Sequence, residues 1–238
     1  MNKDHDLVRH HGLEAEALVA SLRDDFGAKL ALVSSFGAES VVLLHMAACV
    51  DQAIPVIFLD TGKHFWQTGY YRSKIIDLLG LKDVRSIKPH SGDVALLDPQ
   101  GALSGTNPDV CCDIRKVRPL ERALAGFEAV LSGRKRYHGK GRDQLASVSL
   151  DSRGRVKGEP LAGYDAAAIA NYLKEHDLPP HPLVEQGYFS IGCADCTRRG
   201  GSADNPRAGR WAGQDKTECG IHLSTDGRLV RIHRDGVQ

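Results

Sequence analysis

Short apolar segments alternate with longer segments of helical periodicity along most of the chain. Four short segments predict strands: residues 30–33, 56–59, 84–87 and 129–132. Segments with apolar residues at helical spacing lie around them: residues 13–22, 41–48, 66–79, 112–125 and 166–175. This alternation predicts an α/β fold with a mostly parallel sheet flanked by helices. Residues 89–110, rich in Gly, Pro, Ser and Asp, are expected to form a connecting loop.

The first two predicted strands each run into a polar loop, at residues 34–40 and 60–65. Because the carboxyl ends of parallel strands meet at one edge of a sheet, we expect both loops to face the same crevice. Ser34, Ser35 and Ser40, with Gly37 and the amides of the next helix, suit a phosphate or a sulfate. The alternative is an ordinary strand-to-helix turn with a serine cap.

Length and charge limit the function classes. A chain of 238 residues allows one sizeable core, and a flexible, weakly apolar stretch near residue 200 predicts a domain over 1–199 and a mobile C-terminal arm over 200–238. The net charge of +1, from 31 basic and 30 acidic residues, gives no overall field for nucleic acid. No apolar run approaches the ~20 residues of a spanning helix, so we expect a cytoplasmic protein that binds neither nucleic acid nor membrane.

A basic run, residues 134–142, follows the fourth predicted strand. Basic runs are usually solvated loops. This run leaves the end of a strand, where the anionic part of a ligand would lie, so we expect it to contact the substrate.

Two pairs of cysteines predict a metal centre. Cys111 and Cys112 are adjacent and lie beside Arg115 and Lys116, while Cys193 and Cys196 form a C-x-x-C pair. Four thiolates in two pairs suit a [4Fe-4S] cluster or an all-cysteine zinc site, and a pair of disulfides is a third reading. Neighbouring residues reach two corners of one zinc tetrahedron with difficulty, whereas a cluster gives each thiolate its own iron. The adjacent pair therefore favours the cluster, and the cysteine spacings favour a reducing compartment.

A further cysteine, Cys219, lies on the predicted arm between Lys216 and His222. Nearby cations lower the pKa of a thiol, and the thiolate is the nucleophile. An incidental free thiol is the alternative.

Seven motifs in order resemble those of the assimilatory adenylyl-sulfate reductases, relatives of the 3′-phosphoadenylyl-sulfate reductases with an adenine-nucleotide α-hydrolase-like fold. The resemblance covers residues 30–222. Its motifs are SSFGAES at 34–40, LDTGKHF at 59–65, CCDIRK at 111–116, SGRKR at 132–136, IGCADC at 191–196, RAGRW at 207–211 and KTECGIH at 216–222.

The resemblance implies a thiol mechanism. Cys219 attacks the sulfur of adenosine 5′-phosphosulfate, AMP leaves, and reduced thioredoxin releases sulfite from the S-sulfocysteine that remains. Such reductases serve sulfate assimilation and cysteine biosynthesis.

The resemblance also implies residue roles. Cys219, Lys116 and His222 are the expected catalytic residues, and the expected cluster ligands are Cys111, Cys112, Cys193 and Cys196. The expected substrate contacts are Ser34, Ser35, Gly37, Ser40, Leu59, Gly133, Arg142, Arg207 and Arg210. The stretch 148–161 departs from the family pattern, with Gly158 and Glu159 where an asparagine is expected before Pro160.

Three other readings compete. A reductase that prefers the 3′-phosphorylated nucleotide, or accepts both, could use the basic run for the extra phosphate. An ATP pyrophosphatase or sulfurtransferase acting on tRNA shares the fold, but its loop carries paired glycines and an aspartate where this chain has Phe36 and Glu39. A non-enzymatic redox sensor would leave Cys219 unexplained. The oligomeric state is open, and a homo-oligomer is compatible with the sequence.

Overall fold

The computed structural model describes residues 3–139, 142–202, 205–214, 216 and 218–221. The strands are β1 Leu30–Val33, β2 Val56–Leu59, β3 Val84–Ile87, β4 Ala129–Ser132, β5 Val148–Leu150 and β6 Val156–Gly158. The helices are α1 Lys3–His10, α2 Ala15–Phe26, α3 Ser40–Val50, α4 Trp66–Leu79, α5 Ser91–Leu97, α6 Leu103–Thr106, α7 Pro108–Cys112, α8 Arg118–Ala123 and α9 Ala166–Glu175. A π-helical turn, Asp113–Val117, joins α7 to α8.

The described strands form one sheet in the order β3-β2-β1-β4-β6-β5. Every pairing is parallel except that of β5 with β6. Leu32 of β1 lies opposite Val56 of β2 on one side and Leu131 of β4 on the other. The strand order reverses between β1 and β4, and in open α/β sheets a ligand binds outside the carboxyl ends of the strands at such a point.

Apolar side chains cover both faces of the sheet. Alternate residues of β1, β2 and β4 point to a large core with α2, α3, α4 and α9, and the residues between them point to a smaller core with α8. In β1, for example, Leu32 packs in the large core and Ala31 in the small one. Burial on both faces explains why these strands read as continuous apolar runs.

The fold class and the bounds of the four predicted strands are confirmed. The expected loop over residues 89–110 is wrong, because α5, α6 and the start of α7 lie there. These helices have four to seven residues, too few for a periodic signal, and tertiary contacts stabilise them. The single helix predicted over 112–125 is divided by the π-helical turn, and the three-residue strands β5 and β6 were not predicted.

The described part of the arm packs on the sheet domain. Thr197 and Arg210 form an antiparallel bridge, Trp211 is 4% exposed, and Ile221 packs against the smaller core. A division at residue 199 and motion of the arm stay predictions. No described helix is long and apolar enough to cross a bilayer.

His181 links the proline-rich segment of residues 179–184 to α4. Its buried ring accepts a hydrogen bond from the amide of Leu183 at Nδ1, 3.1 Å away, and Nε2 lies 3.2 Å from Thr68 Oγ1. Burial lowers the pKa of His181 to about 4. The folded protein therefore holds this ring neutral, while an unfolded histidine with a pKa of about 6.5 binds a proton.

We predict that His181 makes the protein acid-sensitive. Between pH 6.5 and 4 the unfolded state binds the proton and the folded state does not, so the free energy of unfolding falls as the pH falls. The loss from this group reaches about 3 kcal/mol at pH 4. Urea unfolding of the wild type and of His181→Gln should show a stability difference that shrinks on acidification. A difference independent of pH contradicts the prediction, and His11→Gln at an exposed position is the control.

Candidate active site

One cleft, with a cavity volume of about 180 Å³, lies at the carboxyl ends of β1 and β4. Its walls come from the loops after β1, β2 and β4, the π-helical turn, and the segment around Cys219. All nine residues predicted to contact the substrate line it: Ser34, Ser35, Gly37, Ser40, Leu59, Gly133, Arg142, Arg207 and Arg210. Lys116, Cys193 and Cys219 line it too, so the sheet topology has brought residues distant in sequence to one place.

The loop after β1 is shaped by its own serine hydroxyls. Ser34 Oγ accepts from the amide of Phe36 at 3.1 Å, and Ser40 Oγ accepts from the amide of Gly37 at 2.9 Å. Phe36 has φ +47° and buries its ring against Phe58. A Cβ at Gly37 would lie 2.9 Å from the carbonyl oxygen of Ile191, so only glycine fits. The loop ends at the N-terminus of α3, which favours an anion there.

Cys219 lies among cations inside the cleft. Its Sγ is 3.4 Å from Lys116 Nζ and 3.9 Å from a guanidinium nitrogen of Arg210. A hydrogen bond from the Cys112 thiol and the charges of Lys116 and Arg210 together hold the pKa of Cys219 well below its usual value, although burial opposes them. The arrangement provides a thiolate, the nucleophilic form of cysteine.

The two cysteine pairs are both buried, and Cys193 of the second pair lines the cleft. Cys111, Cys112, Cys193 and Cys196 are each at most 7% exposed and none is in a disulfide. Burial raises the pKa of Cys111 to about 11, and the neighbouring Cys193 and Cys196 would repel a charge there. Thr61 Oγ1 lies 3.3 Å from Cys193 Sγ, and the amide of Trp211 donates to the Cys196 carbonyl at 3.1 Å. In the described ranges, no three His, Cys, Asp or Glu side chains form a group that could hold a metal ion.

Comparison with known proteins decides the family. The model of the phosphoadenosine phosphosulfate reductase domain matches residues 29–199. The chain belongs to this family. A *Mesorhizobium japonicum* protein named adenosine 5′-phosphosulfate reductase is 45% identical over 92% of this chain and 86% of its own. A *Gloeobacter violaceus* protein named phosphoadenosine 5′-phosphosulfate reductase is 39% identical over 88% of this chain and 89% of its own.

Solved structures agree with the fold. Phosphoadenylyl-sulfate reductase from *Candida auris*, in a phosphate complex, is 26% identical, covers 81% of this chain and 94% of its own, and has a TM-score of 0.66. FMN adenylyltransferase from *Candida glabrata* is 14% identical over 77% of this chain and 64% of its own, with a TM-score of 0.56. At that identity the likeness concerns the fold alone.

Glu39 joins two walls of the cleft in this reductase, a role that the sequence did not predict. Its carboxylate lies 2.8 Å from Lys135 Nζ and 3.1 Å from His138 Nε2, and it accepts a hydrogen bond from the Tyr137 hydroxyl. Burial would raise the pKa of Glu39, but the charge of Lys135 and the bond from His138 lower it far below its usual value. Glu39 belongs to the SSFGAES motif, but its partners lie almost a hundred residues away in the chain.

The described cations of the basic run have acidic partners. Arg134 pairs with the fully buried Glu159 at 2.6 Å, and Arg142 pairs with Glu218 at 2.5 Å. Glu159 also accepts from the Ser132 hydroxyl at the end of β4. The residue that departs from the family pattern therefore fixes the loop after β4.

Two charged side chains, Arg115 and Asp195, connect the cysteine pairs to the sheet domain. Arg115 donates to Asp98 at 2.8 Å and to the Thr61 carbonyl at 2.9 Å. Asp195, inside the C-x-x-C pair, accepts from Lys63 Nζ at 2.7 Å and from Ser104 Oγ at 2.6 Å. His222 lies outside the described residues, so its predicted role is untested.

We predict that the Arg115–Asp98 pair stabilises the turn that carries Lys116. The side chains are 10% and 2% exposed, so removing the cation leaves a buried carboxylate without its charge partner. Arg115→Met should lower the free energy of unfolding by about 3–5 kcal/mol. In urea, the double variant Arg115→Met/Asp98→Asn should be more stable than Arg115→Met alone. The neutral side-chain amide at position 98 can still accept the hydrogen bond from the Leu103 backbone amide. Equal stability of the two variants would show that the lost charge partner is not the cause.

Proposed function

We propose that this protein reduces adenosine 5′-phosphosulfate to sulfite and AMP with Cys219 as the nucleophile. The observation that carries the proposal is the position of the Cys219 thiol, 3.4 Å from the Lys116 ammonium in a cleft lined by the loop after β1 and four arginines. Membership of the family and the name of the *Mesorhizobium japonicum* relative support it.

In this proposal the nucleotide binds with its phosphosulfate over the loop after β1, residues 34–40. Ser34, Ser35 and Ser40 with the amides at the start of α3 hold the phosphate, because that loop offers donors where the α3 dipole favours an anion. Leu59 and Gly133 lie beside the adenosine. Arg142, Arg207 and Arg210, with Lys116, hold the sulfate oxygens, and His222 assists them.

The first step transfers a sulfonate group. The Cys219 thiolate attacks the sulfur atom, the new Sγ–S bond forms, and the bond from sulfur to the bridging oxygen breaks. AMP leaves with that electron pair, which the positive side chains stabilise on the phosphate. The charges of Lys116 and Arg210 keep Cys219 ionised before the attack, also when Cys112 is a cluster ligand and donates no hydrogen bond, and Lys116 faces the sulfonate after it.

The second step needs a dithiol reductant, for which we propose thioredoxin. One thioredoxin thiolate attacks Cys219 Sγ, and sulfite leaves with the electron pair of the broken S–S bond. The second thioredoxin thiol then attacks the mixed disulfide, so Cys219 returns as a thiolate and thioredoxin leaves as a disulfide. The two electrons gained by sulfur come from thioredoxin.

We also propose that Cys111, Cys112, Cys193 and Cys196 hold a [4Fe-4S] cluster. The donor set fits, because all four thiols are buried and free, and buried thiols close together ionise only beside a positive centre. When bound, the cluster would supply fixed charge and would anchor both cysteine pairs, with no electron transfer to the substrate. Six free cysteines also favour the reducing cytoplasm, where sulfite would enter cysteine biosynthesis.

The 3′-phosphorylated nucleotide is the second candidate substrate, since the *Gloeobacter violaceus* relative is named for it. An extra phosphate needs cations to bind it. In the described part of the basic run, Arg134 and Lys135 are already paired with Glu159 and Glu39, and Arg142 is assigned to the sulfate. This pairing favours the nucleotide with a free 3′-hydroxyl.

We predict a covalent intermediate that intact-mass measurement detects. Incubation with adenosine 5′-phosphosulfate under nitrogen, without thioredoxin, should add one sulfonate to the wild type and none to Cys219→Ser. The 3′-phosphorylated nucleotide should react at least about tenfold more slowly. Cys49→Ser is the matched control and should react as the wild type does, because Cys49 is exposed and lies away from the cleft.

The other possible results of the intact-mass experiment would change different parts of the proposal. An equal rate with both nucleotides would remove the proposed specificity and keep the chemistry. No adduct from either nucleotide, in protein with its full metal content, would show that Cys219 is not the nucleophile. An adduct that Cys219→Ser retains would place the nucleophile elsewhere.

We predict that protein purified under nitrogen contains about four iron atoms and about four acid-labile sulfides per chain. Cys112→Ser and Cys193→Ser should each lose most of the iron, while Cys49→Ser should keep it. Stoichiometric zinc without sulfide would establish the competing zinc site instead.

A further inference from the structure

Glu218 is the residue directly before Cys219, and its carboxylate lies between two arginines of the cleft. Glu218 Oε1 accepts from Arg142 Nε at 2.7 Å and lies 2.5 Å from a second nitrogen of the same guanidinium. Glu218 Oε2 lies 3.3 Å from a terminal nitrogen of Arg207. We call these three residues the Glu218 ion-pair cluster.

The cluster joins three separate parts of the chain. Arg142 follows β4, Arg207 follows the second cysteine pair, and Glu218 precedes the nucleophile. The arginine side chains are 7% and 9% exposed and that of Glu218 is 25% exposed. Partly buried ion pairs are screened less by salt than surface pairs, and hydrogen bonds between charged groups are stronger than neutral ones.

The ion pairs constrain the adjacent thiol. Because Glu218 and Cys219 are consecutive, a fixed carboxylate limits the positions that Sγ can reach. The observed position is 3.4 Å from Lys116 Nζ and 3.9 Å from Arg210. Among the described residues 218–221, Ile221 packs against the smaller core and Glu218 makes the charged contact.

The carboxylate and an anionic ligand can share Arg142. A guanidinium has five N–H donors, and Glu218 uses those on Nε and on one terminal nitrogen, while the other terminal nitrogen points towards His138 at 3.4 Å. Binding of an anion in the cleft therefore does not require the loss of Glu218.

We propose that Glu218 is a positioning residue, whose ion pairs with Arg142 and Arg207 hold residues 218–221 in the cleft and keep Cys219 against Lys116. The proposal rests on the proposed function for the identity of the reaction, whereas the ion pairs themselves can be tested without substrate.

The test measures how fast iodoacetamide, a neutral reagent, alkylates Cys219 in the full protein under nitrogen. Peptide mass spectrometry gives the rate at Cys219 and, as an internal reference, at the exposed Cys49. Glu218→Gln and Arg142→Gln should each raise the Cys219 rate about tenfold relative to Cys49. The double variant should add little more, because both single changes break the same contact.

Comparison of Glu218→Gln with Arg142→Gln distinguishes a change in the position of the Cys219 thiol from a change in the charge around it. Removal of Glu218 leaves more positive charge near Cys219 and removal of Arg142 leaves less, so a purely electrostatic effect changes the alkylation rate in opposite directions. Opposite changes, or a Glu218→Gln rate equal to the wild type, would overturn the proposal. If a variant does not fold, Glu218→Asp replaces it, whose shorter side chain cannot keep the contacts with both arginines, and the Cys219 rate should again increase relative to Cys49.

A second readout links position to reaction. At saturating adenosine 5′-phosphosulfate, Glu218→Gln should form the sulfonate adduct at least about tenfold more slowly, while its dissociation constant for AMP stays within about threefold of the wild type. An unchanged adduct rate would overturn the proposal with the proposed function intact. A wild type that forms no adduct, but shows the expected alkylation rates, would overturn the proposed function and leave the positioning role.

Discussion

The site depends on keeping several positive side chains buried beside one another. Lys116, Arg142, Arg207 and Arg210 are each at most 8% exposed and line the same cleft. Burial disfavours a charged group, and like charges repel. Burial lowers the pKa of Arg207 to about 10, which is below its usual value despite the nearby Glu218. Burial also acts against the charge on Lys116, but the neighbouring cysteines raise its pKa above the usual value.

Carboxylates balance two of these cations and two neighbouring cations of the basic run. Glu218 balances Arg142 and Arg207, Glu39 balances Lys135, and Glu159 balances Arg134. Each carboxylate also joins two chain segments, so charge balance and shape depend on the same contacts. A cleft arranged in this way is positive enough to attract an anion while its own loops stay in place.

The sheet explains why such distant residues meet. β1 and β4 are neighbours in register, with Val33 opposite Ser132, so the loops that follow them start side by side. The π-helical turn then carries Lys116, and the segment after the second cysteine pair crosses back to place Arg207, Arg210 and Cys219. Gly192 lets this crossing pass closely, since a Cβ there would lie 2.5 Å from the Arg210 guanidinium.

Local sequence determined the strands β1 to β4, the long helices and the motif residues. Buried parallel strands are apolar on both faces and α4 is long, so their signals do not depend on distant residues. All nine predicted substrate contacts line one cleft. Eight of them occur at strand ends or in the quoted motifs, and Arg142 ends the basic run that follows β4. Tertiary structure alone decided the helices of four to seven residues over 91–112 and the partners of Glu39, Glu159 and Glu218. A carboxylate shows no preference for a cation until the chain has folded. The cations that these three bind lie 25 to about 100 residues away, except Arg207 at 11 and Lys157 at 2.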